Sequence, residues 1–223
     1  MQTDFDKIAD EYNQKVTLIN SLDNWVFIKN VPKNRDCVLD IGCGTGELLY
    51  KLSKYFRNCY GIDNSFKMTE IVQKRDVNFK IVTADANKLP YEDNFFDYIV
   101  SHTTFHHLDQ ELAVEEVVRI LKPGGKVIIM DVAREPKKWK RKLEKILLRQ
   151  IWSTGRMIIK FGLKPSLKAI NFLEKGEWRK HIDNEEHLFF TKPQFKQFYS
   201  KVFPKGNFGL ANSSTMYVVW IKP

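Results

Sequence analysis

Long apolar runs are missing from this 223-residue chain. None approaches the ~18 residues that cross a bilayer, so no membrane-spanning helix is expected. Cysteine is scarce as well. Cys37, Cys43 and Cys59 form no CxxC pair and no metal-ligand spacing, which leaves neither a disulfide framework nor a thiolate metal site to expect. All three fall on or beside expected core strands and read as small buried hydrophobes, with a reactive thiol at Cys43 as the alternative. No metal is expected. The opening residues Met1 to Lys7 are polar and acidic and lack the basic, apolar and small-residue succession of a signal peptide, so the expected location is cytoplasmic.

What is present is enough for one substantial α/β domain carrying an insertion, and too little for two independent domains. A content of 43% hydrophobic and 13% aromatic residues can bury a real core, which argues against wholesale disorder. The net charge of +9 belongs to one segment. Residues 134–180 hold 15 Lys and Arg against 4 Glu, whereas the rest of the chain holds 21 basic against 23 acidic residues.

The most informative stretch is Val38-Leu39-Asp40-Ile41-Gly42-Cys43-Gly44-Thr45-Gly46, an apolar run ending at an acid and then turning through three alternating glycines. Glu47 to Leu52 then begins a helix. The pattern is strand, tight loop, helix, the nucleotide-binding half of an α/β fold. A dinucleotide fingerprint places its third glycine three positions after the second, but here it comes two after. Glu47 suits the helix dipole and would repel a diphosphate. Asp40 adds a negative charge to the same space. Together they favour a ligand bearing ammonium or sulfonium.

Two further acids keep step with Asp40. Asp63 lies 23 residues on, at the end of the expected strand Asn58–Asp63, and Asp85 another 22 residues on, after the strand Val77–Thr83. Near-equal intervals of this size mark the carboxyl ends of successive parallel strands, where open α/β sheets bind ligands. An acid at the second tip can accept from both ribose hydroxyls. One at the third can accept from an adenine amino group, while the Ala86 N–H donates to a ring nitrogen; the other reading of Asp85 is a turn residue. A fourth strand is expected over Asn94–His102, and a helix over Glu115–Leu121 that Pro123-Gly124-Gly125 stops before a fifth strand ending at Asp131.

From Val38 to Asp131 the sequence resembles the class I S-adenosylmethionine-dependent methyltransferases, in the acid-x-Gly-x-Gly-x-Gly loop, the spaced acids and the Leu-Lys-Pro-Gly-Gly turn. The resemblance implies a Rossmann-like, doubly wound, seven-stranded sheet, mostly parallel with an antiparallel closing strand, plus a helical cap. Its cofactor would be S-adenosylmethionine and its product S-adenosylhomocysteine. Asp40 would face the methionine ammonium, with Gly42, Gly44 and Gly46 allowing close backbone approach. Asp63 would hold the ribose, Asn64 and Met68 border the adenine, and Asp85 and Ala86 bind it. The backbone of Ser101 or His102 would accept from the ammonium group. The opening Phe5-Asp6-Lys7-Ile8-Ala9-Asp10-Glu11-Tyr12 is similar to a stretch whose tyrosine helps close such sites, which assigns Tyr12 to the cofactor; the other reading is a helical stripe packed on the core.

The acceptor is less constrained. His106 and His107 are candidate general bases or, alternatively, orient the loop. The Asn/Asp-Pro-Pro-aromatic motif of nucleic-acid amino-methyltransferases is missing after the fourth strand, as is a cysteine for C5-pyrimidine chemistry. The expected organisation is an N-terminal helical lid (1–34), a core (35–133 and 191–223) and a basic helical cap (134–190). Within the cap, 134–163 reads as a basic amphipathic stretch. It can cover a small or lipophilic substrate, lie on an anionic membrane surface, bind nucleic acid, or pack on the core with its lysines solvated. The activity expected is methyl transfer to an O, N or C nucleophile. RNA methylation, or cofactor binding without catalysis, is the alternative.

Overall fold

The computed structural model describes residues 4–19, 24–133 and 189–223. Helices α1 (Asp4–Ile19) and α2 (Trp25–Lys29) precede β1 (Cys37–Ile41), α3 (Glu47–Leu52), β2 (Asn58–Asp63), α4 (Phe66–Arg75), β3 (Lys80–Thr83) and β4 (Phe96–His102). A 3₁₀ turn (Phe105–His107), α5 (Gln110–Ile120) and β5 (Leu121–Val132) follow, and α6 (Lys192–Val202), β6 (Asn207–Asn212) and β7 (Thr215–Ile221) close the chain. The sheet order is β3-β2-β1-β4-β5-β7-β6. Strands β3 to β5 pair in parallel, and β7 runs against both β5 and β6. This is the mostly parallel, seven-stranded, doubly wound sheet expected.

Alternation along each strand supplies two cores. Leu39, Ile41, Ile62, Phe96, Ile99, Val127 and Ile129 pack on one face with α5 and α6. Val38, Tyr98, Val100, Ile128 and Met130 pack on the other with α2, α3 and Val72 of α4. Chain order reverses between β1 and β4. That opens the crevice at their carboxyl ends where ligands of such sheets bind.

Several element limits differ from expectation. Strand β3 starts at Lys80 rather than Val77, because Asp76 Oδ1 accepts from Asn78 N–H at 3.0 Å and makes a turn there. Strand β4 starts at Phe96 rather than Asn94, whose φ of 55° is left-handed. Helix α5 ends at Ile120, and Pro123-Gly124-Gly125 lies inside a β5 whose register on β4 shifts between Phe96 and Tyr98. The N-terminal helix begins at Asp4, and Trp25–Lys29 is a separate helix that buries Val26 and Phe27 and leaves Trp25 exposed. The basic segment 134–180, and with it nearly all of the expected cap, lies outside the described residues.

Two polar contacts fasten the periphery to the sheet. Lys222 Nζ donates to Val118 O, Leu121 O and Asn94 Oδ1 at 2.8–2.9 Å. The buried Tyr98 hydroxyl donates to Phe27 O at 2.8 Å and so ties α2 to β4. Tyr98→Phe removes that bond from a dry site, and urea unfolding is expected to show a loss of about 1 kcal/mol.

Candidate active site

The glycine loop leaves β1 with Gly42 at φ 69°, Gly44 at 51° and Gly46 at 77°. Left-handed angles at three alternate positions are open to glycine alone without strain. Close packing adds a second demand: a Cβ at Gly42 would overlap Thr104, and one at Gly46 would press on Val72 of α4. Gly42 and Cys43 donate their N–H groups to Ile62 O at 2.8 and 3.0 Å, which fixes the loop on the β2 tip.

Asp63 clamps the same loop from its side chain. One carboxylate oxygen accepts from Gly44 N–H at 2.9 Å and the other from Ser65 N–H at 3.0 Å. Burial raises its pKa, and those two N–H groups oppose the rise. Two oxygens offer about four lone-pair sites, so acceptor capacity remains after both bonds.

Asp40 stands in a different state. It is 2% exposed, and no described residue is recorded hydrogen-bonding to its carboxylate. Burial pushes it well above the usual carboxylate range, and the neighbouring Asp63 carboxylate pushes the same way. Native proteins rarely bury a carboxyl without partners unless something else satisfies it. Glu47, by contrast, is ion-paired with Lys51 at 3.1 Å and Arg75 at 3.4 Å. The charge argument for a cationic ligand therefore rests on Asp40 and not on Glu47. Cys43 is buried, and its thiol is pushed well up by burial and by Asp63 and Asp40, which keeps it protonated and disfavours a reactive role.

Helix α1 lies across this loop. The Tyr12 ring comes within 4 Å of where a Gly44 Cβ would stand. Asp6 Oδ1 accepts from the Ser65 hydroxyl at 2.6 Å and from Lys67 N–H at 3.1 Å, binding α1 to the start of α4. Asn13 Oδ1 accepts from Arg75 at 3.0 Å, and the Phe5 ring meets His107 edge-on at 5.2 Å. Met68 is buried but belongs to neither core of the sheet, while Asn64 beside it is exposed.

Asp85 is exposed, and its Oδ1 accepts from Asn87 N–H at 2.9 Å. The turn reading of this residue thus holds for one oxygen. Ala86 is buried in the core. Ser101 donates its hydroxyl to Ile41 O at 2.9 Å, and the His102 ring packs on Phe27. At the neighbouring tip, Asp131 accepts from His106 N–H at 2.9 Å and from Val132 N–H at 2.7 Å, and its Oδ1 lies 2.7 Å from His106 Nδ1. A carboxylate that already receives two N–H groups draws the Nδ1 proton, which places the ring's lone pair on Nε2.

The structure thus gathers Tyr12, Asp40, the three glycines, Asp63 and Ser101 around the tips of β1, β2 and β4. Asp85 and Ala86 follow β3, where Ala84 N–H donates to Asp63 O at 3.0 Å. Sequence reasoning missed the Asp6–Ser65 contact and the seating of Thr104 on Gly42. Only Ser65, three residues before Met68 at a helix start, carried a capping signal. Asp36, Cys37 and Asp97 could each offer a ligand atom to a metal. They lie at the opposite end of β1, and Asp97 is engaged by Cys37 N–H and Lys122.

This sheet and loop define a Rossmann-like domain. Residues 39–129 match the family described as a methyltransferase domain. The chain is 32% identical over 142 residues to a demethylmenaquinone methyltransferase of Staphylococcus aureus, covering 58% of this chain and 59% of that protein. It is 32% identical over 137 residues to an uncharacterized methyltransferase, YcgJ, of Bacillus subtilis, covering 58% of this chain and 54% of that one. A SAM-dependent methyltransferase structure from Thermotoga maritima shares the fold, with a TM-score of 0.67, 20% identity and 98% of each chain covered. The match thus spans a little over half the length of the curated relatives. Through residues 39–129 the chain is similar to methyltransferase domains, and its fold is shared with S-adenosylmethionine-dependent methyltransferase structures.

The raised Asp40 keeps its proton in the folded state at pH values where the unfolded chain has lost it. Stability of the ligand-free protein therefore falls as pH climbs above the ordinary carboxylate range. Asp40→Asn is expected to raise the melting temperature at neutral pH by ~2–4 °C, about 1 kcal/mol for a chain of this size. Melts followed by circular dichroism should show that gain shrinking toward pH 4; a pH-independent gain would count against the assignment.

Proposed function

We propose that the chain transfers a methyl group from S-adenosylmethionine to an O, N or C nucleophile of a small or lipophilic molecule, releasing S-adenosylhomocysteine. The observation that carries this reading is Asp40, a buried carboxyl at the switch point of the sheet with no recorded partner among the described residues. A ligand bearing an ammonium group supplies what it lacks. Bound there, S-adenosylmethionine supplies a methyl made electrophilic by its sulfonium.

The chain's own work is then placement and exclusion of water. Asp40 offsets the ammonium charge with the backbone near Ser101 and His102, and Gly42, Gly44 and Gly46 admit the ligand against the main chain. Asp63 uses its remaining lone pairs on the ribose. Asp85 and Ala86 take the adenine edge, with Asn64 and Met68 beside it. Residues 1–34 act as a lid, a role supported by Tyr12 over Gly44 and by the Asp6 contact with α4. Residues 35–133 and 191–223 form the core, and 134–190 the cap over the acceptor.

Where the acceptor is a hydroxyl, His106 serves as the base. It is favoured over His107 because Asp131 orients its ring. A relative named for demethylmenaquinone supports a lipophilic acceptor, and the basic stretch 134–163 supports peripheral contact with an anionic membrane. No helix among the described residues is long and apolar enough to cross a membrane. RNA is the second reading, favoured by the charge of 134–180.

The test incubates the purified chain with methyl-labelled S-adenosylmethionine and either a prenylated naphthohydroquinone in anionic vesicles or total RNA. Label in the quinol supports the reading, label in RNA moves it to the second, and calorimetric cofactor binding without turnover on any acceptor leaves a binding protein. Asp63→Ala is expected to weaken S-adenosylhomocysteine binding by roughly 10- to 100-fold, from lost bonds to a charged acceptor. His106→Gln should lower kcat on a hydroxyl acceptor by roughly 10²-fold or more while the cofactor Kd stays within about twofold.

A further inference from the structure

The connection from β3 to β4 carries Asp85 and Ala86 but has no regular structure of its own, so something else must hold it. Its start is tied to β2 through Ala84 N–H and Asp63 O. Farther along, Leu89, Tyr91 and Asp93 are held by two side chains of α5, Glu116 and Arg119. Arg119 Nη1 donates to Tyr91 O at 2.7 Å and to Asp93 Oδ1 at 2.8 Å, and Nη2 donates to Leu89 O at 3.1 Å. Glu116 Oε2 accepts from Leu89 N–H at 2.7 Å. The two side chains also lock each other in a paired geometry, with Arg119 Nε on Oε1 at 2.7 Å and Nη2 on Oε2 at 2.8 Å.

An i,i+3 ion pair on an exposed helix face contributes only a few tenths of a kcal/mol. This one is built differently. Both partners are less than one-third exposed, and four of their six hydrogen bonds reach the loop instead of solvent. They satisfy backbone groups on either side of Pro90 that no strand or helix serves. Leu89 and Ala86 are buried in the same core cluster as Val117 of α5. The guanidinium spends five N–H donors in fixed directions on two carbonyls and two carboxylates, where an ammonium has three donors and no fixed plane.

Resting on the reading of the site as one for an adenosyl group, we propose that Glu116 and Arg119 are positioning residues that set its selectivity for adenine by holding the 85–91 loop on α5. They touch no ligand. They fix where the Asp85 carboxylate and the Ala86 N–H stand relative to Asp63, so loosening the clamp blurs the reading of the amino group while leaving the ribose and ammonium contacts in place.

The test compares calorimetric binding of S-adenosylhomocysteine and S-inosylhomocysteine, which has a carbonyl in place of the amino group, by the full chain. Wild type is expected to prefer the adenosyl form by roughly 10- to 100-fold, the scale of a hydrogen bond to a charged acceptor. Arg119→Lys keeps a positive charge, and its preference should fall below about threefold, as should that of Asp85→Ala. A purely structural role lowers the melting temperature and the active fraction but not this ratio, which is read on folded molecules alone. If Arg119→Lys does not fold, Glu116→Gln, which keeps an acceptor for Leu89 N–H and breaks the paired geometry, should lower the ratio in the same direction. An unchanged ratio in a folded variant, or a wild type that does not distinguish the two ligands, overturns the clamp while leaving the proposed function standing. A wild type that binds neither overturns both.

Discussion

The Asp63 carboxylate joins the loop after β1 to the start of α4. One oxygen holds Gly44 of the loop after β1, and the other holds Ser65, which begins α4. Ser65 in turn gives its hydroxyl to Asp6 of α1. Loop, second strand, fourth helix and N-terminal helix therefore share a single hydrogen-bonded chain. Its centre is a half-buried acid that two backbone N–H groups keep ionisable against the cost of desolvation.

Around that centre the structure tolerates features that oppose its own stability. Asp40 is buried beside another acid. Like charge gathered away from water lowers the stability of the ligand-free protein, a local cost of the kind that functional sites carry. The compensation lies farther out, in two well-packed faces of the sheet and in fixed polar contacts such as Tyr98 on Phe27 and Lys222 on α5.

Much of this was legible in the sequence because period and interval carry geometry. Acids at positions 40, 63 and 85 marked three strand tips, and the alternating glycines marked the turn between β1 and α3. The strand starts were not legible, since Asx turns and left-handed residues such as Asn94 resemble strand in composition. Glu47 misled because it is neutralised by Lys51 at the i+4 spacing and by Arg75, which is 28 residues away and reaches it across the packed α3 and α4. The pairing of His106 with Asp131 and the clamp from Arg119 to Leu89 depend on which helix face meets which loop, and one sequence does not display that.

The antiparallel strand β7 has a consequence for how the molecule comes into being. Strand β5 pairs in parallel with β4, close before it in the chain, yet its other edge pairs with β7, which begins some 80 residues later, beyond the entire basic segment. Until the ribosome delivers those last residues, an apolar strand edge stands open beside a stretch dense in lysine. An open edge invites pairing with other chains, and like charges close to it discourage that encounter. The net positive charge of the segment that separates β5 from its partner in sequence thus works against association between nascent chains during that interval.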